Sequence, residues 1–164
     1  NLLSRRRYGL ISALKRNVHG GSTASTTFRT FQRLKMSGGS TVDRLIGIPW
    51  GSGNPPEEAD CLSLAIYAQE ILWGRKVDLG DIDTCWHDKD LRQFSHQILE
   101  IIPQFCDEVK EFKVGDMATV ETIGYCHVLT LVDEGLILHT GINSTSRICR
   151  YRPLKSMRFW RLRG

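Results

Sequence analysis

Apolar residues recur at helical spacing in two segments in the middle of the chain. Over residues 57–73 the pattern predicts a helix that Gly74 ends. Over residues 88–101 it predicts a second helix, with Pro103 as the stop. A shorter helix is predicted over residues 42–46. The buried stripes predicted for the two longer helices are Leu62, Ala65, Ile66, Ala68, Gln69 and Leu72 in the first, and Leu91, Phe94, Ile98 and Ile102 in the second.

Beyond Gly115 the pattern changes to short runs of β-forming residues separated by turn residues such as Gly135 and Pro153. Strands are predicted at Met117–Thr122, 126–132, 136–140, 147–152 and Met157–Leu162. Runs of this length joined by short turns favour an antiparallel meander. Helices followed by a meander predict an α+β fold class, with the helices packed on one face of the sheet.

The charge is distributed unevenly along the 164 residues. Eight of the 22 Lys and Arg residues, and none of the 18 Asp and Glu residues, lie in the first 40. Residues 20–27 and 37–40 are rich in Gly, Ser and Thr, which is typical of linkers. We therefore predict a basic arm and linker over residues 1–40 and one domain over residues 41–164. A basic arm of this kind suits an anionic partner. The two alternatives for the arm are a solvated tail and a segment that docks on a partner.

Composition limits the class of protein. Apolar residues make up 41% of the chain and charged residues 24%, which suits a folded domain with its own core. No apolar run approaches the roughly 18 residues that span a bilayer. The stretch from Leu10 to Leu14 is too short for a signal-peptide core, so we expect no secretion signal.

Five cysteines are present, at positions 61, 85, 106, 126 and 149, and no two form a CxxC pair. This spacing does not support a zinc site, and we predict no metal and no cofactor. Most of these cysteines are expected to be small buried side chains. A reactive thiol requires separate evidence, and the sequence provides such evidence at one position.

Cys61 follows Asp60 where a Pro-rich loop becomes the first long helix. The positive end of the helix dipole favours a thiolate there, which predicts a lowered thiol pKa. Backbone N–H groups of the same turn are free to receive an oxyanion. A nucleophilic cysteine and a buried structural cysteine both fit this segment.

His127 interrupts an otherwise apolar strand near its start, where a polar ring needs partners. His139 falls on the next predicted strand, and the turn at Gly135 places the two strands side by side. His127 is then a candidate base for Cys61, and His139 a candidate partner that orients its ring. A core histidine and a packing histidine remain alternatives for each taken singly, and His87 and His96 are expected to be solvated.

Residues from about 46 to the end resemble the NlpC/Spr-type cell-wall cysteine peptidases, compact relatives of papain. The motifs that carry the resemblance occur in the family's order: Gly47-Ile48-Pro49-Trp50, Asp60-Cys61-Leu62-Ser63-Leu64, Val114-Gly115-Asp116-Met117, His127-Val128, Leu138-His139 and Phe159-Trp160-Arg161. The resemblance implies a papain-like NlpC-type domain with Cys61 as nucleophile, His127 as base and His139 as orienting residue. It also implies hydrolysis of amide bonds in peptidoglycan stem peptides.

Two departures from the family pattern concern the surroundings of the thiol. Trp50 stands where the family commonly has Tyr, so we expect no hydroxyl beside the thiol. Leu62-Ser63 stands where Ser-Gly often follows the Cys. Both changes bear on how a substrate is held rather than on which residue attacks.

Three functions fit these features. The first is a peptidoglycan peptidase carried on a bacteriophage tail, because the resemblance is greatest to short members of the family found among tail proteins. In that setting the protein is expected in the virion, and in the cytoplasm before assembly, with the basic arm docked on other tail proteins; nucleic acid is not an expected partner. The second is a non-catalytic structural tail-tip protein that keeps the fold. The third is a hydrolase of another acyl or amide substrate, or a maturation protease.

Overall fold

The structure is a computed structural model that describes residues 41–78, 91–122 and 125–164. The predicted basic arm (1–40), residues 79–90 with Cys85 and His87, and the turn at Gly124 lie outside the described residues. The domain boundary at residue 40 therefore stays a prediction. A 3₁₀ helix at Thr41–Leu45 replaces the short helix predicted over 42–46.

The first long helix, α1, spans Cys61–Trp73, so it begins later than the predicted residue 57. The reason is Asp60, whose backbone is extended (φ −78°, ψ −178°) and whose carboxylate caps the helix. The predicted end at Gly74 is confirmed: its φ of 65° is left-handed, and its N–H donates to the carbonyls of Gln69 and Glu70.

The second helix, α2, spans Leu91–Phe105, with Phe94 and Ile98 buried as predicted. The predicted stop at Pro103 is wrong, since the helix continues through it. Arg163, near the end of the chain, supports the last turn: its guanidinium donates to the carbonyl of Pro103, and its N–H donates to the carbonyl of Phe105 at 3.0 Å. These bonds satisfy carbonyls that the end of a helix leaves without partners.

The sheet has six antiparallel strands in the order β1-β6-β2-β3-β4-β5. The four consecutive strands from β2 to β5 form the predicted meander. Two features differ from the prediction: β1 was not expected, and β6 crosses back to lie between β1 and β2 rather than following β5. The strands are β1 (Cys106–Val109), β2 (Met117–Thr122), β3 (Tyr125–Asp133), β4 (Leu136–His139), β5 (Arg147–Arg150) and β6 (Met157–Leu162).

Both helices pack on one face of this sheet, which confirms the predicted α+β class. On that face Cys126 and Val128 of β3 join a buried cluster with side chains of α1 and α2. On the other face Leu129 and Leu131 belong to a separate cluster with Ile137 of β4. Successive residues of a strand point to opposite faces, so His127 and Tyr125 share the face of Leu129.

The motif Gly115-Asp116 has a structural role at the start of β2. Asp116 is 1% exposed, and its carboxylate accepts two hydrogen bonds from Arg161, at 3.0 and 2.9 Å. The carbonyl of Gly115 accepts from the buried amide of Gln69 at 3.1 Å, which ties β2 to α1. Within the described residues, no helix is long and apolar enough to cross a membrane.

Candidate active site

The sulfur of Cys61 lies at the first residue of α1, where the sequence predicts it. The side chain is buried, with 2% of its surface exposed. The preceding loop is fixed, because the N–H of Ala59 donates to the carbonyl of Pro49 at 2.9 Å and the N–H of Gly51 donates to the carbonyl of Ala59 at 3.3 Å. Both the loop and the helix therefore hold the thiol in place.

The backbone N–H groups of this turn are less available than the sequence suggested. Asp60 Oδ1 accepts from the N–H of Leu62 at 2.8 Å and of Ser63 at 2.7 Å. The N–H of Leu64 donates to the Asp60 carbonyl at 3.0 Å. The prediction that these groups await an oxyanion is thus wrong for these three residues, and the N–H of Cys61 itself is the donor that remains in this turn.

Two groups of β3 are hydrogen-bonded to the thiol: the hydroxyl of Tyr125 and the backbone N–H of Val128. The ladder between β3 and β4 runs from Thr130 to Asp133, so Val128 lies beyond the end of β4. The thiol of Cys61 therefore meets β3 at residues beyond the end of its ladder with β4.

His127 and His139 contact each other as the sequence predicts. Nε2 of His127 lies 3.4 Å from Nδ1 of His139, and the two rings are nearly perpendicular with centroids 5.5 Å apart. One nitrogen donates and the other accepts, so each ring restricts the tautomer and orientation of the other. The contact is present, while the catalytic roles of the two histidines remain predictions.

The second nitrogen of His127 has a partner that the sequence did not identify. The sequence predicted the Cys61 sulfur within hydrogen-bond reach of a His127 nitrogen, or a little beyond, and this stays a prediction. The hydroxyl of Tyr125 lies 3.2 Å from Nδ1 of His127 and is also hydrogen-bonded to the thiol. The rings of Tyr125 and His127 stack at 5.8 Å with an angle of 23° between them. The thiol and the imidazole are therefore joined through a hydroxyl.

The thiol of Cys61 is held in its protonated form. Burial is the largest cause and the nearby Asp60 carboxylate the second, and together they raise the thiol pKa to about 12. The hydrogen bonds from Val128 and Tyr125 act in the opposite direction but do not offset burial. The predicted lowering of this pKa is thus wrong, because desolvation outweighs the helix start. Acidity also does not distinguish Cys61, since burial raises the pKa of Cys106 to about 12 as well.

The imidazole of His127 is held neutral. Burial, then the charges of His139 and Arg147, lower its pKa to about 3. Burial and Arg147 also lower the pKa of His139, while a hydrogen bond with the backbone of Thr140 raises it. A protonated thiol and a neutral imidazole are the two partners that a base-assisted attack requires at its start.

The remaining candidates stay outside this cluster. The ring of His96 is exposed on α2, as expected for a solvated histidine. Cys106 and Cys126 are buried free thiols, and Cys149 is a half-buried one. In the described part of the chain, no group of three His, Cys, Asp or Glu side chains could hold a metal ion.

Tyr125 is the site residue that the sequence did not identify. The predicted strand began at residue 126, which left Tyr125 in the turn, whereas β3 begins at Tyr125 itself. Its position two residues before His127 puts both rings on the same face of one strand, and this is the signal that was available. The expectation that Trp50 leaves no hydroxyl beside the thiol is therefore wrong, because Tyr125 supplies one from another part of the chain.

The chain matches no model of a known protein family and no curated protein. Among solved structures it is similar to the crystal structure of the NlpC/p60 domain of peptidoglycan hydrolase SagA, with 18% sequence identity and a TM-score of 0.41. The likeness covers 67% of this chain and 83% of that one. At this level a likeness assigns no role to any residue here, so the roles of Cys61 and the histidines rest on the geometry above.

Proposed function

We propose that this protein is a cysteine hydrolase of the NlpC type that cleaves amide bonds in peptidoglycan stem peptides. The observation that carries the proposal is the continuous set of hydrogen bonds from the buried thiol of Cys61, at the start of a helix, to His127 and on to His139. A nucleophile, a base and a residue that orients the base are the parts that acyl transfer needs.

The proposed reaction has two stages. The sulfur of Cys61 attacks the amide carbonyl while its proton passes to His127, and the oxyanion that forms lies nearest the N–H of Cys61. His127 returns that proton to the leaving amine as the carbon–nitrogen bond breaks, which leaves a thioester. Water then attacks the thioester with His127 again as base, and the thiol and a carboxylic acid are released. His139 holds the ring of His127 throughout.

The substrate class rests on the resemblance of the motifs around Cys61, His127 and His139 to the cell-wall peptidases. The setting in a bacteriophage tail, with the basic arm docked on other tail proteins, is part of the same proposal. The arm's partner is tested by pull-down of tail proteins with the full chain and with a chain lacking residues 1–40.

The test of the activity is digestion of purified muropeptides, with products read by mass spectrometry. Cys61→Ala and His127→Ala are expected to abolish product formation, and His139→Ala to reduce it, because orientation is lost while the base remains. Cys149→Ala removes a half-buried thiol on β5 that has no place in the proposed reaction, and serves as the matched control. Cleavage that persists in Cys61→Ala would exclude this mechanism.

One observation favours the second candidate, a structural protein without turnover. The thiol of Cys61 is buried and its pKa is raised to about 12, so it is a weak nucleophile until a base assists it. On this alternative, wild type and Cys61→Ala give identical muropeptide profiles at every enzyme concentration. Release of products from acyl or peptide substrates, without cleavage of muropeptides, would point to the third candidate, a hydrolase of another substrate.

A further inference from the structure

We propose that Tyr125 is a proton-relaying residue, whose hydroxyl carries the proton of the Cys61 thiol to Nδ1 of His127. The inference rests on the proposed cysteine-hydrolase function and deepens it by naming a further residue of the same site. It concerns the first step, in which the sulfur must lose its proton as it attacks.

The geometry leaves one nitrogen of His127 for this purpose. Its Nε2 is bonded to His139 at 3.4 Å, and its Nδ1 is bonded to the Tyr125 hydroxyl at 3.2 Å. The same hydroxyl is hydrogen-bonded to the thiol of Cys61. A hydroxyl has one hydrogen to donate and lone pairs to accept with, so it can accept from the thiol and donate to the imidazole at once.

The available hydrogens fit one continuous direction along these bonds. The thiol donates to the phenol oxygen of Tyr125, the phenol donates to Nδ1 of His127, and Nε2–H of His127 donates to Nδ1 of His139. His139 then carries its own hydrogen on Nε2. In this assignment each of the three bonds has one donor and one acceptor.

The relay balances without an added reactant. The S–H bond of Cys61 breaks as its proton joins the phenol oxygen, while the phenol's own proton joins Nδ1 of His127. Tyr125 is a neutral phenol before and after the transfer, and His127 becomes an imidazolium that still donates through Nε2 to His139. The electron pair of the S–H bond forms the new bond from sulfur to the substrate carbonyl. Because the two transfers are concerted, a phenolate never forms, which matters since burial raises the pKa of Tyr125.

Two other roles for Tyr125 predict different behaviour. A tyrosine that only blocks the thiol from the imidazole would slow the reaction, so its removal would speed attack. A tyrosine that only packs against His127 would affect stability and leave thiol chemistry unchanged. The relay predicts that loss of the hydroxyl alone slows attack by the sulfur.

The first experiment is alkylation of Cys61 by iodoacetamide in folded protein at pH 7.5, followed by peptide mass spectrometry, and it needs no substrate. Tyr125→Phe keeps the ring and removes the hydroxyl, and it is expected to slow alkylation about tenfold or more, the size expected for losing one hydrogen bond to a charged group. Tyr67→Phe is the matched control, because its hydroxyl contacts Arg44 rather than the site. An unchanged or faster rate in Tyr125→Phe would overturn the relay.

A double-mutant cycle separates relay from positioning alone. If Tyr125 and His127 act in series on one proton, Tyr125→Phe combined with His127→Ala slows alkylation no further than His127→Ala does. Independent, multiplying effects would contradict the relay. Digestion of muropeptides by Tyr125→Phe at the wild-type rate would also overturn it while leaving the proposed function intact. If wild type cleaves no muropeptide but the double-mutant cycle gives the expected result, the proposed function is overturned and the relay stands.

A measurement on the wild-type protein guards against misfolding of the variant. The relay requires the Nε2–H tautomer of His127, so that Nδ1 is free to accept from the phenol. The ¹⁵N chemical shifts of the His127 ring at pH 7 are expected to report a protonated Nε2 and an unprotonated Nδ1. The opposite tautomer would show that Nδ1 cannot receive the proton, and the relay would be excluded.

Discussion

The neutral state of His127 predicts a specific loss of stability in acid. In the unfolded chain this ring has the ordinary pKa of 6.5, and in the folded protein burial and the neighbouring charges lower the pKa to about 3. The unfolded state therefore binds a proton in a range where the folded state does not. The stabilisation is fully present above pH 6.5 and is lost as the pH falls towards 3.

The magnitude follows from the two pKa values. Each pKa unit corresponds to about 1.4 kcal/mol, so the whole shift is equivalent to about 5 kcal/mol. Between pH 7 and pH 4 the free energy of unfolding should fall by about 3 kcal/mol through this group. The ring of His127 is half-buried, so solvent screening makes both values upper bounds.

The assay is urea denaturation of wild type and His127→Gln at several pH values between 4 and 8. Glutamine keeps a polar side chain but takes up no proton in this pH range. The free energy of unfolding of His127→Gln should therefore vary with pH by up to about 3 kcal/mol less than that of wild type. His96→Gln, on the exposed face of α2, is the matched control. Parallel curves for wild type and His127→Gln would refute the claim that the base rests neutral because it is buried.

Two further predictions concern the residues that hold the site in place. Asp60→Ala should lower the free energy of unfolding by about 1–2 kcal/mol, because the helix loses its cap, and urea denaturation checks this. Asp60→Asn should keep the cap and lower the pKa of Cys61, because the Asp60 carboxylate disfavours the thiolate, and thiol titration at 240 nm checks this. Arg161→Ala should lower the free energy of unfolding by about 2 kcal/mol or more, because it leaves the buried Asp116 carboxylate without its ion-pair partner. Arg158→Ala breaks an exposed ion pair and should lower it by less than about 1 kcal/mol; urea denaturation measures both.

The sequence predicted the parts of the fold that local patterns determine. Helical spacing and Gly74 gave the first helix and its end, and the alternation around Gly135 gave the strand pair that brings His127 beside His139. These features depend on residues close together in the chain, where periodicity and turn chemistry act directly.

The parts that were missed depend on contacts between distant segments. The four-residue strand at Cys106–Val109 is too short to show a pattern, and it forms by pairing with β6. The helix runs through Pro103 with support from Arg163, at the far end of the chain, which donates to the carbonyls of Pro103 and Phe105. Tyr125 joins the site because its hydroxyl meets the thiol of a helix that is distant in the chain. The high pKa of Cys61 has the same origin, since burial is not visible in the residues next to it.

The pKa values of Cys61 and His127 limit how the proposed reaction can proceed. With a thiol pKa of about 12 and an imidazole pKa of about 3, a thiolate–imidazolium pair does not accumulate before substrate binds. Burial penalises a charged sulfur, but the sulfur in the tetrahedral adduct is neutral and escapes that penalty. Attack and proton transfer must therefore occur together, so that charge appears on the substrate oxygen rather than on the sulfur. The thiol should therefore attack an amide substrate once that substrate is bound, and react more slowly with oxidants, metals and alkylating reagents than an exposed cysteine does.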